Sequence, residues 1–246
     1  MDAEKRYWRE IYDAAASRFE EDWRVGRWVS PIYYSMVCER LDSLFTPLEG
    51  RGLRVLDVCC GSGTLLETLC GRGFKAVGLD CSRGVLQRLK SHPARRGLAV
   101  VQADAVSPPF ADASFDVVVS IGMLQCLENT RDYLAELGRL LAPRQGRLVL
   151  LFSPCAWLVN RRRNRALRQG MSDMTHYRLH RPERIVADLR SLGFADVRAS
   201  SLVYVFYVPL LRPLLRFMNR HMTQSRFLAP FATSTIIIAT KTSREE

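Results

Sequence analysis

From Leu53 onward the chain alternates short apolar runs with amphipathic stretches, and this alternation limits the folds open to it more than any other feature. LRVLDV is followed by glycines and then TLLETLCGRG. FKAVGLD precedes SRGVLQRLKSH, LAVVQAD and SFDVVVSIG come next, and TRDYLAELGRLLA leads through Pro143 into GRLVLLFS. The apolar runs are continuous rather than alternating, the pattern of parallel strands covered on both faces. Strand and helix in turn at this spacing predict a doubly wound α/β sheet. Two further strands are expected in ADVRASSLVYVF and TSTIIIATKT, giving a mostly parallel seven-stranded, Rossmann-like sheet with helices on both faces. Pro182 is placed to open a helix through Leu192, with Gly193 just past its end.

The remaining segments are assigned around that core. Residues 1–50 read as a helical cap, with Tyr7, Ile11, Tyr12, Ala15 and Phe19 at helical spacing and a second helix over Ile32–Phe45. Residues 51–155 form the expected ligand-binding core, and 156–246 the substrate-side half. An insert at 207–231 precedes the last strand, and the whole of 1–246 reads as one domain.

The chain is 246 residues long, with a formal net charge of +11. That excess favours an anionic partner such as RNA, an acidic membrane or an acidic metabolite; an arginine-rich composition alone produces it too. RRRNRALR (161–168) is either a phosphate-facing cluster or a solvated loop. The insert has no acidic residue and repeats arginine at 212, 216 and 220 beside Leu, Phe and Met. It reads as a basic amphipathic helix on a membrane surface, as a lid over a lipid-like acceptor, or as buried packing. The charged N-terminus has no apolar signal region, and 202–218 is too interrupted to span a bilayer. A cytoplasmic or membrane-peripheral location is expected. The seven cysteines include no CxxC, so neither a disulfide framework nor a metal centre is expected.

The chemistry gathers at the strand ends. The first strand runs into Gly61 and Gly63 and then a helix whose N-terminal N–H groups face the turn. Asp80, at the end of the second strand, is placed to accept from both hydroxyls of a ribose. Leu66 stands where a GxGxxG fingerprint needs its third glycine, which argues against NAD or FAD.

Asp57-Val-Cys59-Cys60-Gly61-Ser62-Gly63 resembles the DxGxGxG motif of class I S-adenosylmethionine-dependent methyltransferases, and the chain is identified as a member of that family. PPFADASFDVVVS (108–120) resembles the family's passage into the fourth strand, and 176–194 the helix before the sixth; the resemblance covers about 40–241 in the family's order. It implies S-adenosylmethionine as cofactor. Asp80 falls on the ribose position and Asp104 on the residue that holds the adenine amino group. Asp57 either fixes the glycine loop or contacts the cofactor's amino group. Cys81 and Ala105 line the adenosine, and Ser120 and Ile121 lie at the sulfonium end. Asp80 as a helix cap and Asp104 as a turn residue are the plainer alternatives.

Two departures stand out. Cys59 replaces the motif's first glycine, which implies that no positive φ is needed there. Histidines usual after the fourth strand are absent from IGMLQCL (121–127), so that wall, with Met123, is more apolar. A candidate base is then His176. Tyr177 and Arg178 are placed to orient an acidic acceptor. Tyr12 resembles the family's "YD" segment, and with Tyr33 it is a candidate substrate contact; core packing explains both equally well.

The implied function is methyl transfer to oxygen or carbon of a small hydrophobic acceptor: a quinone precursor, a lipid or an aromatic natural product. RNA methylation is the alternative reading, and a silent cofactor-binding scaffold is a third. The amino-methylation signature NPPY is absent, which argues against N-methylation of nucleic acid.

Overall fold

In the computed structural model of this protein, residues 3–16, 31–153, 178–203, 217 and 232–242 are described. In chain order these form α1 (Ala3–Ala15), α2 (Pro31–Phe45), β1 (Arg54–Val58), α3 (Thr64–Gly71), β2 (Lys75–Asp80), α4 (Arg83–Ser91) and β3 (Val100–Gln102). After these come β4 (Val117–Ile121), α5 (Thr130–Leu140), β5 (Arg147–Phe152), α6 (Pro182–Ser191), β6 (Phe194–Val203) and β7 (Ala232–Lys241). Single 3₁₀ turns cover Thr46–Leu48 and Leu124–Cys126.

The strands form one seven-stranded sheet in the order β3-β2-β1-β4-β5-β7-β6. The parallel pairs β1–β2, β2–β3 and β1–β4 set the direction, and β7 runs antiparallel to both β5 and β6. The chain builds outward from β1 to β3 and then returns to β4 on the other side of β1. That reversal makes the carboxyl ends of β1 and β4 the switch point where a ligand crevice opens in sheets of this kind.

The chain divides into two compact units, residues 1–120 with 139–142, and residues 121–138 with 143–246. In the first, β1 is buried from Val55 to Val58. Leu56, Leu66, Leu79 and Val118 are wholly removed from solvent, each side chain contributing roughly 1.5–3 kcal/mol. Arg54 staples the opposite end of this half: its backbone N–H donates to Asp116 Oδ2 at 2.8 Å, and its Nη2 to Asp116 Oδ1 at 2.9 Å. The aspartate of the SFD sequence thus has a structural task, remote from the crevice. The helix before Pro143 stops at Leu140, two residues short of the expected end, because Leu141 forms a parallel bridge with Phe115.

In the second unit, Ile236 and Ile237 of β7 and Leu150 and Phe152 of β5 are fully buried. α6 opens at Pro182, and Gly193, at φ 82°, follows its end as the spacing predicts.

Candidate active site

The loop after β1 takes its shape from three left-handed residues: Cys59 at φ 61°, Gly61 at 52° and Gly63 at 79°. The reading that Cys59 needs no positive φ is therefore corrected. Its backbone turns as the motif's glycine does, and the side chain is carried at a steric cost of about 1–2 kcal/mol. Cys60, next in the chain, points into the core. It is buried, its thiol is pushed far up by that burial, and its backbone N–H donates to Leu79 O at 3.0 Å.

Two glycines of the neighbourhood are required by packing. A Cβ on Gly63 would lie 2.6 Å from Leu89 Cδ1, and one on Gly78 would lie 2.7 Å from Cys60 Sγ and 2.9 Å from Leu66 Cδ2. Gly63 is the N-cap residue of α3, whose N-terminus has no side-chain cap.

Asp57 and Asp80 are the two buried acids at the crevice. Asp57 is 3 % exposed, and its Oδ2 has no hydrogen-bond partner among the described residues. Burial first, and the charge of Asp80 second, push its pKa up to about 8. Asp80 is differently placed. Its Oδ2 accepts from Gly61 N–H at 3.0 Å and its Oδ1 from Ser82 N–H at 2.9 Å. Burial raises its pKa, against the opposing pull of those N–H groups. Asp80 thus ties the glycine loop to the turn after β2, with further lone pairs on each oxygen for a ligand.

Asp104 closes a turn, Oδ1 accepting from Val106 N–H at 3.0 Å. Ala105 beside it is buried. The Cys81 thiol is pushed up to about 11, chiefly by burial and then by Asp80, while the charges of Arg9 and Asp104 also reach it. Ser120 is buried at the end of β4, in register with Val58, and Ile121 is half-buried.

The sequence motifs did not point to Arg95. It is buried, its Nε donates to Glu67 Oε2 at 2.6 Å, and its Nη1 donates to Ser62 O at 3.1 Å. It braces the middle of the glycine loop. Only a buried environment distinguishes it from its exposed neighbour Arg96, and PARRG carries no sign of that.

Among the expected acceptor contacts, Met123 and Arg178 belong to the second unit. Met123 precedes the 3₁₀ turn, and Arg178 N–H donates to Gln125 O of that turn at 2.8 Å. Arg178 also pairs with Glu128 at 3.5 Å. His180 Nε2 is 2.7 Å from Leu124 O, and burial lowers its pKa; it secures the same turn. Tyr12 stacks on Trp8 with ring centroids 6.0 Å apart. His176, Tyr177, the cluster 161–168 and all of the insert 207–231 except Phe217 lie outside the described residues, as does the side chain of Tyr33.

The crevice fits the expected cofactor. A buried carboxylate oxygen with no partner suits an ammonium group. An uncapped helix N-terminus beside left-handed glycines suits a carboxylate lying close to the backbone. A second carboxylate, 19 residues past Gly61, suits a ribose diol. Among the described residues no group of three or more His, Cys, Asp or Glu is placed to hold a metal ion.

Sheet order, glycine loop and paired acids are similar to those of class I S-adenosylmethionine-dependent methyltransferases. Residues 56–150 match the family described as a methyltransferase domain. Demethylmenaquinone methyltransferase of Lactococcus lactis is 38 % identical over 109 residues, covering 41 % of this chain and 42 % of that protein. A phthiotriol/phenolphthiotriol dimycocerosates methyltransferase of Mycobacterium tuberculosis is 35 % identical over 100 residues, covering 40 % of this chain and 37 % of its own. The matched region thus spans about two fifths of these relatives' length. A Thermotoga maritima structure, an S-adenosylmethionine-dependent methyltransferase described as a possible histamine N-methyltransferase, superposes with a TM-score of 0.69 at 16 % identity. It covers 95 % of this chain and 99 % of its own. The cofactor of the family is S-adenosylmethionine.

Proposed function

We propose that this protein transfers the methyl group of S-adenosylmethionine to oxygen or carbon of a small hydrophobic acceptor, of the quinone-precursor, lipid or aromatic kind. The observation that carries the cofactor half of this reading is the buried Asp57 Oδ2 beside the glycine loop, which has no hydrogen-bond partner among the described residues. The acceptor half draws on the similarity to enzymes named for demethylmenaquinone and for phthiotriol dimycocerosates, and on the apolar segment IGMLQCL.

In this reading Asp57 receives the cofactor's ammonium, and the backbone of Cys59, Gly61 and Gly63 lies under it. Asp80 takes the ribose, Asp104 the adenine amino group, and Cys81 and Ala105 line the nucleoside. Ser120 and Ile121 face the sulfonium end. The sulfonium supplies an already activated methyl. The protein's task is then to align the acceptor for in-line displacement, an effect worth roughly 7–11 kcal/mol in the best-oriented systems. Met123, Tyr12, Tyr33, Tyr177 and Arg178 are the proposed acceptor contacts, and His176 the base for a hydroxyl or acidic carbon.

We place the protein in the cytoplasm, with peripheral membrane contact through 207–231 when the acceptor is lipid-like. No helix among the described residues is long and apolar enough to cross a membrane. The deciding experiment incubates the protein with isotopically labelled S-adenosylmethionine and lipid, metabolite and RNA extracts, followed by mass spectrometry. A labelled methyl on a hydrophobic molecule, lost with Asp80→Ala, supports the reading. Label appearing only in RNA would replace it with the RNA alternative.

A further inference from the structure

The helix α1 is fastened to the turn that follows β2. Asp13 Oδ1 accepts from Ser82 Oγ at 2.6 Å and from Gly84 N–H at 2.8 Å. Gly84 makes the approach possible, since a Cβ there would meet Asp13 Oδ1 at 3.1 Å and Ala16 Cβ at 3.2 Å. The same turn faces the crevice on its other side. Ser82 N–H donates to Asp80 Oδ1, and Asp80 Oδ2 accepts from Gly61 N–H. One line of hydrogen bonds therefore runs from α1, through residues 80–84, to the glycine loop.

Arg9 lies four residues before Asp13, one helical turn along the same face. Its Nε is buried and has no hydrogen-bond partner among the described residues. A buried guanidinium donor left unsatisfied is costly, and native structures normally supply an acceptor. The surroundings fit a nucleoside. Asp80 and Cys81 precede Ser82 directly, and the charge of Arg9 reaches Cys81 together with those of Asp80 and Asp104.

We propose that Arg9 is a cofactor-binding residue: α1, latched by Asp13 to Ser82 and Gly84, carries its guanidinium to the nucleoside end of the crevice at Asp80, Cys81 and Asp104. A guanidinium suits this place because it offers five donors and a planar face, matching ribose oxygens and the π surface of a base. Asp13 acts through Arg9 and is a positioning residue. The assignment rests on the S-adenosylmethionine reading of the crevice.

The test is calorimetric titration of the full chain with S-adenosylhomocysteine, beside unfolding curves of each ligand-free variant. Arg9→Met should bind at least fivefold more weakly than wild type with an unchanged unfolding midpoint; Arg9→Gln serves if the Met variant does not fold. Asp13→Ala should lose affinity to a similar extent. Asp13→Asn should stay near wild type, because an amide oxygen accepts the same two hydrogen bonds. Hydrogen exchange should show ligand-induced protection of residues 3–16 in wild type and in Asp13→Asn, and none in Asp13→Ala. Equal affinities of wild type and the Arg9 variants would overturn the assignment. A wild-type protein that does not bind S-adenosylhomocysteine would instead overturn the cofactor reading beneath it.

Discussion

Asp57 holds its proton at neutral pH in the ligand-free protein, since burial places its pKa at about 8. Placing an ammonium beside it ionises it. Titration with S-adenosylmethionine at pH 7, in buffers of different ionisation heat, should therefore register release of about one proton, and affinity should rise between pH 6 and 7.5, below the usual range of an α-amino group. The same residue sets a stability trend. A carboxyl raised from 3.8 to about 8 by folding keeps a proton that the unfolded chain has given up. Its contribution is present at low pH and is lost as pH rises through 8. Ligand-free wild type should thus lose more stability between pH 6 and 8.5 than Asp57→Asn, and parallel pH profiles would contradict the burial argument. Cys59 offers a second residue-scale outcome. Glycine at φ 61° removes the steric cost, so Cys59→Gly should raise the unfolding free energy by about 1 kcal/mol, read from denaturant titration, against the chain entropy that glycine adds.

At the scale of elements, β2 and the loop after β1 share one packing solution. Gly78 leaves room that Cys60 and Leu66 fill, so Gly78→Ala should destabilise by roughly 1–3 kcal/mol. Adding Cys60→Ala should recover part of that loss, a coupling measured by a double-mutant cycle. Asp80 joins β2 to the loop by accepting from Gly61 N–H, so Asp80→Ala removes the proposed ribose contact and also frees a buried donor. We expect at least tenfold weaker S-adenosylmethionine binding, in keeping with ~1.5–3 kcal/mol for bonds to a charged group. These elements were largely legible in the sequence. Continuous apolar runs marked β1 to β5 and β7, and Pro182 and Gly193 bracketed α6. The motif spacing brought Asp57, Gly61, Gly63 and Asp80 to one crevice. What stayed hidden depends on contacts distant in the chain. Nothing local tells that Arg95 is buried against Ser62 and Glu67, or that Asp13 seats on Ser82 and Gly84. The φ of Cys59 was misread because a residue type reports only a preference, and here the turn overrides it.

For the molecule as a whole, binding and folding are linked. A ligand at a hundred times its dissociation constant stabilises the folded state by about 2.7 kcal/mol. For a chain of this size that amounts to a melting rise of roughly 5–10 °C on the usual 2–4 °C per kcal/mol, measurable by thermal shift with S-adenosylhomocysteine. The net charge of +11 makes a separate prediction at this scale. If the acceptor is RNA, tRNA binding will be tight at low salt and fall steeply as salt rises; no tRNA binding at low salt would rule that acceptor out.

The position of β7 carries a consequence for synthesis. β6 finds its backbone partners in β7, and β7 lies between β5 and β6 although it comes last of the three in the chain. While the ribosome is still making residues 204–231, β6 has been translated but has no neighbour to pair with, and the far side of β5 stands open. The four parallel strands have no such wait. The nascent chain can therefore complete its cofactor-side sheet early and must carry an unpaired, apolar β5 edge until residues 232–241 leave the exit tunnel, which makes that interval the one in which a chaperone has something to hold.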